Sequence, residues 1–269
     1  MGADMKNLRT RIRSVDSTLH LTKAMGLVAS SKIRRANEAM AKSREYSGAI
    51  TEMIDTLTGS PETRKSPYMT VRDGGRTRLV VIVGDRGLCG GYNANIFRLL
   101  REYPDAEKIP IGRKAADRYG GGHAPSSEHF TREEGYELAK KLCLDFIDGK
   151  YDRLGVVCTE YKSIMTQTPA VRWVLPLTAT EKNDSVGILF EPGETEVLNS
   201  AVPEYVSGLI TASVRESFAC EVAARRMAMD NAGRNADEMI TKLQLQYNRA
   251  RQGAITQEIT EIVAGADAE

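Results

Sequence analysis

Aromatic residues are scarce in this sequence. Phe, Trp and Tyr together make up 6% of it, with a single tryptophan, while charged residues reach 27%. That is the balance of a helix-rich soluble protein of one or two domains. The three histidines, His20, His123 and His129, do not cluster with acids or cysteines at metal-ligand spacing. The four cysteines, Cys89, Cys143, Cys158 and Cys220, form no CxxC pair, which excludes a zinc ribbon or a dithiol redox motif. They read as reduced thiols of a cytosolic setting. No run of eighteen apolar residues exists to form a transmembrane helix, and no apolar signal core opens the chain, so no leader is expected. A net charge of +1 argues against a global field for nucleic acid. Most telling is the distribution of proline. All nine lie between Pro61 and Pro203, and the first sixty and last sixty-six residues have none. Proline breaks helix interiors, so the two ends are free to be long helices.

The N-terminal end carries an unbroken pattern. Leu8, Ile12, Val15, Leu19, Thr22, Gly26, Ala29, Ile33, Ala36, Met40, Ser43, Ser47, Ile50, Ile54 and Leu57 follow one another at alternating spacings of four and three. None is charged. A 3.5-residue repeat predicts a helix supercoiled on a partner helix. Fifty residues of it would extend roughly 75 Å. After Pro203 the rhythm returns at Val206, Ile210, Ser213, Ser217, Cys220, Ala224 and Met227, slips around residues 231–235, and resumes at Ile240, Leu243, Tyr247, Ala250 and Ala254. The expected architecture is therefore an α/β domain inserted between two long terminal helices that form an antiparallel coiled coil: residues 1–60, 61–203 and 204–269. Leu57 is placed near Val206, and Leu8 near Ala254. Ile255, Ile259, Ile262 and Val263 then run past the start of the first helix and need a cover from outside the pair. Gly26 costs roughly 1 kcal/mol against alanine in a helix, and close helix approach would account for it.

Between the helices the period changes. A β-branched run at 78–84 predicts a buried strand. The glycine-rich turn DRGLCGGYN follows at 85–93, then a helix at 95–103, a strand at 108–112, a glycine loop at 120–122 and a helix at 131–148 opened by a Thr131–Glu134 capping box. A strand at 153–159 and strand candidates at 168–177 and 186–190 complete a Rossmann-like α/β domain. Residues 67–75 read as a surface loop.

DRGLCGG has the strand-turn-helix context of a phosphate loop. It lacks the Lys-Ser/Thr of a Walker motif and is not GxGxxG. The alternative, a tight strand-to-helix turn, uses the same glycines. From Lys6 to Arg35 there are eight basic residues and one acid, Asp16. They form either the solvated face of a helix or a basic sleeve for an acidic partner, with Lys23, Lys32, Arg34 and Arg35 as its candidates. No Ser-His-Asp set, carboxylate pair or HExxH occurs. No catalytic, cofactor-binding or metal-binding residue is predicted.

Several segments resemble one family. TKAMGLVASSKIRRA at 22–36 and ITQEITEIVAGADA at 255–268, with DRGLCGG and YNRARQ (247–252), are similar to the gamma subunit of F-type ATP synthases, in the right order along the whole chain. No cysteine-bearing regulatory insert is present, so the likeness is to bacterial members. The resemblance implies a central rotor shaft inside a ring of alpha and beta subunits. The α/β domain becomes a foot contacting the epsilon subunit and the c-ring. The implied location is peripheral, on the cytoplasmic face of the cell membrane. Ion-driven rotation would switch the catalytic beta subunits in sequence, with no catalytic site or cofactor in this chain. By motif, Met25, Arg86, Arg251 and Gln252 are implied to contact beta, and Ile255, Ile259, Ile262 and Val263 to form an apolar bearing. A coiled-coil scaffold with an α/β binding domain would not need YNRARQ or ITQEITE, and an enzyme using the glycine-rich turn would be favoured by nucleotide binding to the isolated chain.

Overall fold

The computed structural model describes residues 2–120, 124–180 and 190–266. Helix α1 (Gly2–Thr58) opens the chain and α5 (Glu194–Ala266) closes it. Between them lie β1 (Thr77–Ile82), α2 (Tyr92–Leu99), β2 (Glu107–Ile111), α3 (Arg113–Tyr119), α4 (Arg132–Ile147), β3 (Arg153–Tyr161) and β4 (Gln167–Leu175). By contact the chain divides into two compact units, Met1–Ala29 with Arg225–Glu269, and Ser30–Ala224.

In the larger unit the four strands are ordered β2-β1-β3-β4. β1 runs parallel to β2 and β3, and β4 closes the edge antiparallel to β3. The chain goes from β1 to β2 on one side and returns to β3 on the other. Parallel strands need both faces covered, and β1 shows it. Val80 and Ile82 enter a core with Leu57, Phe146, Leu198 and Val202, which come from α1, α4 and α5. Leu79, Val81 and Val83 enter the opposite core with Ile96 and Ala115 of α2 and α3. The capping box of α4 is present in both directions, Thr131 Oγ1 accepting from the Glu134 N–H at 3.1 Å and the Glu134 carboxylate from the Thr131 N–H at 2.8 Å.

Two expectations need correction, and one element was not expected. α5 starts at Glu194, ten residues before the predicted 204, with Pro203 inside it. Proline forfeits one helical hydrogen bond, but Leu198, Val202, Val206 and Ile210 are all fully buried across it, and that packing outweighs the local cost. Helix α3 was not predicted. Two turns after Gly112 carry too little periodicity to be read. Gly112 itself sits at φ +94, and a Cβ there would fall 1.8 Å from the Val83 carbonyl oxygen, so only glycine makes this entry. The 67–75 segment is not wholly surface: Pro67–Met69 forms a 3₁₀ turn whose Tyr68 is buried and stacks on Phe146 at 6.3 Å. The strand candidate at 186–190 lies outside the described residues except Phe190, which is in no regular element, as do Gly121 and Gly122 of the glycine loop.

The pairing register also differs. In the larger unit Gly208 of α5 packs on Tyr46 and Ile50 of α1, and Ser60, just after α1, donates to the Glu194 carboxylate. In the smaller unit Arg9 donates to the Tyr247 hydroxyl at 2.6 Å, and Gly233 faces Leu19 and Thr22. Rising numbers in α1 meet falling numbers in α5, so the contacts are antiparallel. Each is about two helical turns away from the expected Leu57–Val206 and Leu8–Ala254 pairing. Anchoring the second helix at Pro203 caused the offset.

Candidate functional site

All fifteen four-three positions of α1 are buried or half-buried. On α5, Met229, Gly233, Ala236, Ile240, Leu243, Tyr247, Ala250 and Ala254 are covered positions of the smaller unit, again at spacings of four and three, with Arg225, Met227, Ala228 and Ala232 half-buried beside them. The slip falls just before 231–235, between Met227 and Met229, and from there the pattern is regular. Gly233 and Ala236 carry it with side chains too small to register as apolar. Gly26 faces Asp230 and Met229, but an added Cβ would stay 3.5 Å from the nearest atom, an ordinary contact. Close approach does not demand glycine at 26.

The smaller unit leaves several large apolar side chains uncovered. Ile255, Ile259, Ile262 and Val263 are 47%, 56%, 66% and 54% exposed. Arg251 and Gln252 just before them are exposed, and nothing approaches Gly253 within 4 Å. On α1, Met25 is half-buried and lies between Leu21 and Val28, both more than half exposed, with Leu27 beside them at 73%. Leu21, Met25 and Val28 make a second apolar stripe at four-three spacing, outside the seam. Sequence reading missed Leu21 and Val28 because it followed one seam. The signal was there: large apolar residues at positions the seam leaves outside. A patch of this kind marks a contact surface.

In the larger unit the glycine turn closes the carboxyl ends of β1 and β3. Its first residue, Asp85, takes the N–H groups of Arg113 at 2.9 Å and Glu128 at 3.2 Å and the Ser126 hydroxyl at 2.6 Å. Burial raises the Asp85 carboxyl, but these donors outweigh it and hold it below the usual carboxylate range. The space where an α/β sheet takes a ligand is filled by α5. Ser217 Oγ accepts from the Thr159 N–H at 3.1 Å and the Glu216 carboxylate from the Tyr161 N–H at 2.9 Å. The buried Glu221 carboxylate lies so close to Gly84 that a Cβ there would sit 2.7 Å from it. A phosphate at this turn would face that carboxylate. Gly90 thus serves the tight turn with its left-handed φ of +59, and Gly84 just before the turn makes room for α5. Among the described residues no group of acids, histidines and cysteines could hold a metal.

The turn also meets α1. Glu128 pairs with Lys32, and Arg86 lies 3.9 Å from the same carboxylate. Burial pushes Glu128 up, but Lys32 first and then Arg86 outweigh it and lower it. Two residues predicted for different roles, Lys32 and Arg86, are therefore brought to one acid. Arg34 and Arg35 stay exposed, Arg34 only 3.9 Å from Glu38, and Lys23 is exposed in the smaller unit. Between Arg86 and Cys89 the backbone turns through Leu88 at φ +61, and this leucine is 62% exposed. The left-handed conformation costs a non-glycine residue roughly 1–2 kcal/mol, here at an exposed apolar side chain.

The class defined by fold and surface is a protein of two long antiparallel-packed terminal helices with a mixed α/β sheet domain between them. A family model described as ATP synthase matches residues 4–268. The ATP synthase gamma chain of Moorella thermoacetica is 38% identical over 99% of both chains, and that of a Geobacter species 36% identical over 98% of both. Among solved structures, a chain of the Euglena gracilis mitochondrial ATP synthase rotor superposes with TM-score 0.64 at 19% identity, covering 95% of this chain and all of that one. A chain of the Tetrahymena thermophila central stalk and c-ring gives 0.61 at 18%, covering 79% of this chain and 99% of that one. The chain belongs to the ATP synthase gamma chain family, with bacterial relatives.

Proposed function

We propose that this chain is the central rotor shaft of a bacterial F-type ATP synthase. In this reading α1 and α5 wind as an antiparallel coiled coil, and their free ends turn inside a ring of alpha and beta subunits. The domain between them is a foot on the epsilon subunit and the c-ring. Ion flow turns the c-ring, the shaft turns with it, and the catalytic beta subunits change conformation in sequence. The chain itself contributes no catalytic group and no cofactor. No described helix is long and apolar enough to cross a membrane, so attachment to the cytoplasmic face of the cell membrane would be peripheral, through the complex.

The observation that carries the proposal, beyond family membership, is the uncovered apolar end at Ile255, Ile259, Ile262 and Val263. Apolar surface with few charges gives a bearing few strong, directional contacts to break on turning. Arg251 and Gln252 then meet beta near this end, Met25 meets it farther along the helix pair, next to Gly26 and its neighbour Met229, and Arg86 meets it at the glycine turn. Lys23, Lys32, Arg34 and Arg35 form a basic sleeve, with Lys32 also tied to Glu128. A rod with unlike sides makes unlike contacts with three equivalent subunits, and such differences in contact energy are what shift an equilibrium. The test is Arg251→Ala in the reassembled head. The expected result is lower ATPase activity at unchanged subunit composition; full activity would remove Arg251 from the contact set.

A further inference from the structure

In the larger unit two basic segments meet at Glu128. One oxygen of its carboxylate accepts a hydrogen bond from Lys32 of α1, and the other lies 3.9 Å from Arg86 of the glycine turn. At 3.9 Å that second contact is an ion pair longer than a hydrogen bond. Exposure grades in the same order: the Glu128 side chain is 18% exposed, Lys32 38% and Arg86 70%. The backbone beneath Glu128 is anchored. Its N–H donates to the Asp85 carboxylate at 3.2 Å, and that carboxylate also takes the Ser126 and Ser127 hydroxyls at 2.6 Å and 3.3 Å. Asp85 precedes Arg86 in the chain, so the turn grips the segment whose acid faces its own arginine. On the α1 side an open hollow is lined by Ser30, Ser31, Lys32, Arg34 and Arg35, which gives a partner segment room to reach these cations.

A fixed carboxylate here acts on an acidic partner in two ways. It repels the partner's charge, and it competes for the Arg86 guanidinium. Both weaken the contact. We propose that Glu128 is a positioning residue that keeps the contact of Arg86 with an acidic partner segment weak enough to release. Arg86 rests against Glu128, moves to a partner carboxylate when one arrives, and returns when it leaves, while Glu128 stays tied to Lys32. The inference rests on the rotor reading, in which the partner is beta. A shaft that must part from each beta in turn needs contacts that break readily, and Glu128 gives the guanidinium a counter-charge to return to.

The test is ATPase turnover against salt in heads reassembled with wild-type chain, Glu128→Gln or Glu128→Asp, at equal subunit composition. Entry of the wild-type chain into the head tests the rotor reading by itself; the comparison of variants tests the role of Glu128. Glu128→Gln removes the competing charge, tightens the contact and should lower turnover about threefold at low salt, the scale of one exposed ion pair. The gap should close as salt screens it. Glu128→Asp keeps the charge and should restore turnover. In an Arg86→Gln background, Glu128→Gln should make no difference. Wild-type turnover for Glu128→Gln at low salt overturns the proposal. So does a loss that salt leaves unchanged, that Glu128→Asp shares, or that persists without Arg86.

Discussion

Glu216 shows how one residue ties three elements of the larger unit together. It is 3% exposed on α5 and accepts from Arg44 of α1 at 2.6 Å, from Arg172 of β4 at 2.9 Å and from the Tyr161 N–H of β3. Burial alone would raise its carboxyl. The Tyr161 N–H, Arg44 and Arg172 reverse that and lower it. A carboxyl whose folded value lies below its unfolded value stabilises the fold above the unfolded value, and the contribution fades as pH falls through the lowered one. Glu216→Gln leaves Arg44 without a counter-charge and Arg172 with only Glu160, 3.4 Å away, and should cost about 2 kcal/mol at pH 7, less than a fully buried pair because both arginines reach water. Urea midpoints of wild type and variant should differ at pH 7, begin to converge as pH falls below the ordinary glutamate value of about 4.3, and coincide only once pH has passed the lowered folded value. A gap that stays constant with pH would contradict this. Leu88 makes an opposite argument. Leu88→Gly should stabilise the isolated chain by up to about 1 kcal/mol by relieving the left-handed conformation, while weakening association of the chain with its head. Gain of stability without loss of association would deny the leucine a contact role.

At the scale of elements, Gly26→Ala tests the helix pair. A Cβ fits at ordinary distance, and alanine gains roughly 1 kcal/mol of helix propensity. The melting temperature should rise. A fall would mean the helices pack closer at this point than the distances give. The elements themselves were legible to differing degrees, for physical reasons. α1 was plain because its seam is long, uninterrupted and free of charge, so no local preference competes with it. β1 was plain because a parallel strand buried on both faces is written as a continuous β-branched run. The α4 start was fixed by Thr131 and Glu134 alone. The start of α5 was not, because Pro203 is a local signal and the burial of Leu198, Val202 and Val206 is a tertiary one. From Ala201 to Arg225 no residue of α5 is exposed, so the rhythm read after Pro203 marks only one of its covered stripes. α3 escaped for the reverse reason, being too short to show a period. Of the candidate contacts, the apolar end was legible because Ile255, Ile259, Ile262 and Val263 stand past the predicted partner. Leu21 and Val28 were legible as large apolar residues outside the seam but were passed over, and the Lys32–Glu128–Arg86 cluster joins residues that only folding brings near.

For the whole molecule the account turns on coupling. Met25 sits in the exposed stripe of Leu21 and Val28, and Met25→Lys would place a hydrogen-bonding cation against beta. The expected outcome is a lower ratio of ATP made to ions passed, with the complex still assembled; an unchanged ratio would count against Met25 as a contact. The most direct test of the central claim is the native mass, with subunit counting, of the complex that this chain enters. The account predicts one copy of the chain amid three copies each of two larger nucleotide-binding subunits. A lone chain, or a homodimer, from a gentle preparation would contradict it.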